Sequence, residues 1–246
     1  IKPQTQNNRE EVMKNTYELN KLLHKYGITE RLRSQFVGTC LLALKNDLQY
    51  ENLEAPQIIA GIRNKLEQLL TNNLNKDVKI AILDTKVLQN QTVAKLDKDA
   101  LTAILNSVKT TILPHINENT TLGQDLLNLF FTIFNKYVGK KDKNQAFTPD
   151  HITSFMYRLI DVHSSDRVLD ATCGSGAFLV KAMCNMINEV GINTQEAKNI
   201  QREQLFGIEF DKDVFALACA NMLIHKDGKT NLQKRLQPQV LVVPST

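Results

Sequence analysis

No apolar run in these 246 residues approaches the roughly 20 residues that a membrane-spanning helix needs. No signal-peptide pattern opens the chain, which begins at Ile1. Cysteine is scarce. The four, at positions 40, 173, 184 and 219, form no C-x-x-C pair and have no histidine cluster at ligand spacing. That pattern excludes a zinc framework and a disulfide framework, so no metal site is expected. It places the chain in a reducing cytosol, a cytoplasmic setting. The five histidines, at 24, 115, 151, 163 and 225, are scattered, and none stands by a plausible nucleophile. Charge of one sign is also lacking, for the net charge is only +4. Residues 1–143 hold 20 Lys and Arg against 15 Asp and Glu, and the remainder holds 10 against 11. That excess is too small to establish a nucleic-acid surface. The Lys140-Lys141-Asp142-Lys143 cluster suits a solvated linker.

What is present divides the chain in two. An apolar content of 42% is that of a globular protein. Up to residue 143 strand alternation is nearly missing and helical spacing dominates. Val12, Leu19, Leu22, Leu23 and Tyr26 form one stripe, closed by Gly27 as a helix-ending glycine. Further helices are expected over 29–48, 56–74, 97–113 and 122–138, for a bundle of five or six. A linker at 139–144 follows. From there the pattern turns α/β: helix 149–161, strand 167–170, helix 176–190, a short helix within 193–204, strand 205–209, helix 212–226, and a strand over 239–243.

Chemistry concentrates at Asp170-Ala171-Thr172-Cys173-Gly174-Ser175-Gly176-Ala177-Phe178-Leu179. A short apolar strand ends in an acid, passes through a glycine turn and enters a helix. That order builds a ligand corner at the carboxyl edge of a parallel sheet. A P-loop would need Lys-Ser or Lys-Thr after its last glycine, and Ala177-Phe178 stands there instead. A dinucleotide turn would need a third glycine, and Leu179 occupies that place. The carboxylate of Asp170 would repel a pyrophosphate and suits a cationic ligand end. S-adenosylmethionine offers an ammonium and a sulfonium, and no phosphate. A second apolar strand, Leu205-Phe206-Gly207-Ile208-Glu209, also ends in an acid, 39 residues after the first. Such a carboxylate can accept both hydroxyls of a ribose. Cys173 reads as a small turn residue rather than a reactive thiol.

These blocks resemble the amino-methylating DNA methyltransferases, and most of all the modification subunit of type I restriction–modification systems and its single-chain relatives. Gln145-Ala146-Phe147-Thr148-Pro149 resembles the family's block ahead of the first strand. Asp170 to Leu179 resembles the glycine block. Gly207-Ile208-Glu209-Phe210-Asp211, running into Ala218 to His225, resembles the ribose block and its helix. The resemblance covers about 80 residues in the family's order. It implies a helical N-terminal domain (1–143) that clamps DNA or docks a subunit. It further implies a Rossmann-like S-adenosylmethionine-dependent methyltransferase domain (144–246), here partial. By the same likeness the cofactor-binding residues are Gln145, Ala146, Phe147, Thr148, Pro149, Asp170, Thr172, Cys173, Gly174, Ser175, Gly176, Ala177, Phe178, Glu209 and Phe210. The partners implied are double-stranded DNA, a specificity subunit that reads the target, and a restriction subunit.

The family's acceptor chemistry lies in a loop reading Asn or Asp, Pro, Pro, then Phe or Tyr, which holds a flipped adenine. No Pro-Pro pair occurs in this chain. The expectation is a piece of a longer protein that binds cofactor and does not methylate by itself. Two rivals stand beside this reading. One is a methyltransferase acting on RNA or protein. The other is a non-catalytic scaffold docking a DNA-recognition partner.

Overall fold

The computed structural model describes residues 9–71, 76–115, 148, 150–225 and 231–234. The chain is mostly helical, with one small parallel sheet. The expected helix 122–138, the linker 139–144 and the expected strand 239–243 lie outside the described residues.

The first layer is built from α1 (Arg9–Lys25), α2 (Glu30–Lys45), α3 (Ala55–Leu69), α4 (Lys76–Leu83), α5 (Gln91–Ala94) and α6 (Lys98–Ser107). Helix α1 ends as its glycine predicts. Gly27 lies at φ 75°, its N–H donates to the His24 carbonyl, and the Ile28 N–H donates to Leu23 at 3.0 Å. This pair of bonds satisfies carbonyls that the helix end would otherwise leave open. Helix α3 opens with a reciprocal capping box between Glu54 and Gln57, with Pro56 in its first turn. The expected helix 97–113 becomes α6, a π-helical turn over Val108–Ile112 and a 3-10 turn over Leu113–His115. Pro114 has no N–H to continue the ladder. Helix α4 and its π-helical continuation, Asp84–Leu88, answer to no expected helix.

Asp97 caps α6, its carboxylate accepting the Ala100 N–H at 2.8 Å. Asp97→Ala should cost about 1 kcal/mol of folding stability. A urea titration followed by far-ultraviolet circular dichroism measures it, and an unshifted midpoint would remove the cap from the account.

The second layer starts at α7 (Asp150–Leu159). Then come β1 (Val168–Asp170), α8 (Ala177–Val190), α9 (Gln195–Asn199), β2 (Leu205–Glu209), α10 (Lys212–Ile224) and β3 (Asn231–Lys234). Strand order is β1-β2-β3 and all pairs are parallel. The sheet advances in one direction, so right-handed crossovers place α8 and α10 on the same face. Val168 aligns with Leu205, Asp170 with Gly207, and Gly207 with Leu232. The alternation of a strand sends Asp170, Gly207, Glu209 and Leu232 toward the helices. It sends Leu169, Phe206 and Ile208 to the other face. Leu169 is 63% exposed there, and the Arg167 guanidinium lies 4.9 Å from the centre of the Phe206 ring.

Helix α10 belongs to both layers. Its Ala216, Leu217 and Ala220 join the helical core with Phe36, Leu41 and Ile104. Its Phe215, Ala218, Cys219 and Met222 join the sheet core with Leu179, Met183 and Leu205. Its C-terminal neighbour His225 is buried, and burial pushes the imidazole down to about 3, so it is neutral. Among the described residues no helix is long and apolar enough to cross a membrane.

Candidate functional site

The site is the loop between β1 and α8, and the strand ends bring its parts together. Asp170 closes β1, and its carboxylate accepts the Thr172 N–H at 3.1 Å. The chain then turns across the end of β2. Cys173 donates its N–H to the Ile208 carbonyl at 3.0 Å. Gly174 donates to Glu209 Oε2 at 3.0 Å. The other oxygen of Glu209 accepts from Phe210 N at 2.8 Å and from Asp211 N at 2.7 Å. The turn is thereby stitched to the strand beside it, and the two acids read from the sequence flank one glycine loop. Gly176 N donates back to the Cys173 carbonyl at 2.8 Å, and α8 starts at the next residue.

Both glycines of the turn are required by backbone shape. Gly174 has φ 55° and Gly176 has φ 80°, in the left-handed region that side chains with a Cβ rarely adopt. They differ in surroundings. A Cβ on Gly176 would face Met222 Sδ at 3.5 Å, whereas one on Gly174 would meet nothing within 4 Å. The open side of the loop is therefore at Gly174, between the two carboxylates.

The electrostatics follow from burial. Burial raises the Asp170 carboxyl above its ordinary value, opposed by the Thr172 N–H. The Cys173 thiol is pushed up by burial first, then by Asp170 and Glu209. A thiol held in its neutral form is a poor nucleophile, in line with a packing role. No salt bridge pairs Asp170 or Glu209 with a cation among the described residues. A carboxylate has about four acceptor positions, so both keep capacity for a donor-rich, positively charged ligand.

The remaining predicted residues fall around this centre. Ser175 and Cys173 are buried, Ala177 and Phe178 are half-buried at the start of α8, and Thr172 is exposed. Phe210 is 58% exposed at the rim. Thr148 is half-buried just before α7. Gln145, Ala146, Phe147 and Pro149 lie outside the described residues. Two participants lie in the ribose block and its helix and were given no role from the sequence. Asn221 on α10 donates from Nδ2 to the Ser175 carbonyl at 3.0 Å. Gly207 sits where a Cβ would come within 3.0 Å of Cys173 Sγ. The polar Asn221 inside the apolar run 214–224 was the one signal that could have exposed the first.

Comparison with known proteins points the same way as the sequence motifs. The family described as N-6 DNA Methylase matches residues 123–240, a span that contains the glycine loop and both acids. That segment is similar to the N-6 DNA methylase family. The chain is 38% identical over 149 residues to the type II restriction enzyme and methyltransferase RM.BcgI of Heyndrickxia coagulans, covering 59% of this chain and 23% of that protein. It is 32% identical over 81 residues to the type I restriction enzyme EcoEI methylase subunit of Escherichia coli, covering 33% of this chain and 16% of that one. The chain thus spans less than a quarter of the length of these relatives. Among solved structures it resembles a modification subunit assigned to a type I restriction enzyme of Vibrio vulnificus YJ016. There the TM-score is 0.65 at 16% identity, over 96% of this chain and 57% of the other. A chain from a type I restriction–modification complex gives 0.64 at 14% identity, over 92% and 51%. These two likenesses bear on the fold, which the chain shares with modification subunits.

Proposed function

We propose that this chain is the cofactor-binding part of an adenine-N6 DNA methyltransferase of a restriction–modification system, and that it binds S-adenosylmethionine at the carboxyl edge of its sheet. The observation that carries this reading is the pair of carboxylates without cationic partners among the described residues, Asp170 and Glu209, on either side of a loop whose Gly174 leaves open space. A polyphosphate would be repelled there. An ammonium and a sulfonium would be attracted, and a ribose hydroxyl would satisfy the acceptor position that Glu209 keeps beyond its three N–H donors.

In this assignment Asp170 orients the amino group of the methionine part, and the backbone from Thr172 through Ala177 lines it. Phe178 backs the loop from the first turn of α8. Glu209 takes the ribose hydroxyls, and Phe210 flanks the adenine ring. Gln145 to Pro149 close the methionine side. The cofactor supplies the methyl group, and the residues present hold and orient it. The domain division is residues 1–143 as a helical unit that clamps DNA or docks a subunit, and 144–246 as the Rossmann-like methyltransferase portion. Double-stranded DNA and a specificity subunit are the partners, with a restriction subunit in the larger assembly. The chain has no Asn/Asp-Pro-Pro-aromatic run to hold a flipped base, so these residues bind cofactor without transferring its methyl group.

Isothermal titration of the chain with S-adenosylmethionine should show saturable binding at one site per chain. A parallel assay with tritiated-methyl cofactor and duplex DNA should show no transfer. Lack of binding would overturn the pocket assignment. Methyl transfer to DNA would overturn only the statement that these residues do not carry the acceptor chemistry.

A further inference from the structure

The sheet holds the glycine loop from one side, and α10 holds it from the other. Asn221 Nδ2 donates to the Ser175 carbonyl at 3.0 Å, across 46 positions of sequence. Both residues are buried, at 2% and 5% exposure. The peptide unit between Ser175 and Gly176 is thus held at both ends. Its carbonyl rests on Asn221 and its N–H donates to Cys173. This is the peptide plane that leads into Gly176, the N-cap of α8, and its tilt helps set the direction in which the first turn of that helix presents its N–H groups. Met222 and Ala218, also on α10, pack where Gly176 would carry a side chain.

A second observation bears on why an amide stands at this position. Asn221 Oδ1 is buried and has no hydrogen-bond partner among the described residues. A buried carbonyl without a donor loses its hydration and regains nothing. An apolar side chain would avoid that loss inside an apolar helix. Packing therefore does not explain an asparagine at 221, whereas the bond from its Nδ2 to the loop does. We infer that Asn221 is a positioning residue for cofactor binding, fixing the Ser175–Gly176 peptide so that the loop is shaped before the ligand arrives. The inference rests on the S-adenosylmethionine reading above. It adds a structural link, because α10 also packs its Ala216, Leu217 and Ala220 into the helical layer. The loop's shape is thereby tied to the seating of that layer on the sheet.

The test uses the full chain in three forms: wild type, Asn221→Leu and Asn221→Asp. Asn221→Leu removes the donor and the orphaned acceptor together. Asn221→Asp replaces the donor by a second acceptor facing the Ser175 carbonyl. Calorimetric titration with S-adenosylmethionine should show binding weakened about tenfold in Asn221→Leu, the scale of one lost hydrogen bond, and at least as much in Asn221→Asp. The melting temperature of Asn221→Leu should stay within a few degrees of wild type. Amide exchange should quicken at Gly176 and Ala177 and not across α2 or α6. Unchanged affinity in both variants, with wild type binding, would overturn this inference alone. So would an affinity loss that tracks a general loss of stability and a uniform rise in exchange. A wild-type chain that fails to bind would overturn the cofactor reading, and this inference with it.

Discussion

Glu209→Ala should weaken S-adenosylmethionine binding by about 2 kcal/mol, roughly thirtyfold, the range of a charged hydrogen bond. The carboxylate does two things at once. It accepts N–H groups from Gly174, Phe210 and Asp211, which leaves about one acceptor position for the proposed ribose contact. Removing it therefore takes away the ribose contact and releases the first glycine from the end of β2. Glu209→Gln separates the two contributions. The amide keeps one carbonyl oxygen and places an NH2 group toward backbone N–H donors, where it cannot accept. It should bind more weakly than wild type and more tightly than Glu209→Ala. Titration calorimetry of the three proteins at one pH checks the order. Affinity of Glu209→Ala equal to wild type would take Glu209 out of the site and leave it as a loop anchor only.

The candidate site residues were legible because their spacing is local. An acid at a strand end, glycines in the turn and a helix after it follow from the requirements of one corner. β2 begins and ends at the expected residues, Leu205 and Glu209, and α8 starts within one residue of the expected position. The features that escaped depend on contacts between distant segments. β3 reads Asn231-Leu232-Gln233-Lys234. Leu232 is its single apolar residue, so no apolar run announces a strand, whereas Val240 to Val243 does announce one. Helix α4 escaped because Lys79, a residue that normally marks a solvated face, is fully buried. α10 is apolar nearly all round because it lies between two layers, and a single polar residue in such a helix reads as an interruption. Its hydrogen bond to Ser175 exists only once the crossover has brought the two segments together. The strand–loop–helix corner was thus readable from single segments, and its supports were not.

Gly207 is the sharpest case, and it yields the largest expected effect on folding. In the sequence it is an incidental glycine within an apolar strand. In the fold it is the crossing point of three buried side chains. A Cβ there would run into Leu232 Cδ2 and lie 2.8 Å from Leu179 Cδ1 and 3.0 Å from Cys173 Sγ. Those atoms belong to β3, to α8 and to the glycine loop, and all three side chains are buried. They cannot all retreat, because each is packed against the same small core. Gly207→Ala should therefore destabilise the chain by about 2 kcal/mol, and Gly207→Val by about 3 kcal/mol, the upper range for overpacking. Relief of the glycine's backbone entropy offsets less than ~1 kcal/mol of this. The cause can be separated from a general dislike of mutation in the strand. Leu232 makes the shortest contact, so trimming it to Val in the Gly207→Ala background should recover part of the loss, although Leu232→Val alone costs stability. A double-mutant cycle in urea measures that coupling. Strict additivity would show that the strain does not run through Leu232. With Cys173 displaced, the loop it belongs to must shift as well, so the same Gly207→Ala chain should bind S-adenosylmethionine more weakly even where it is fully folded.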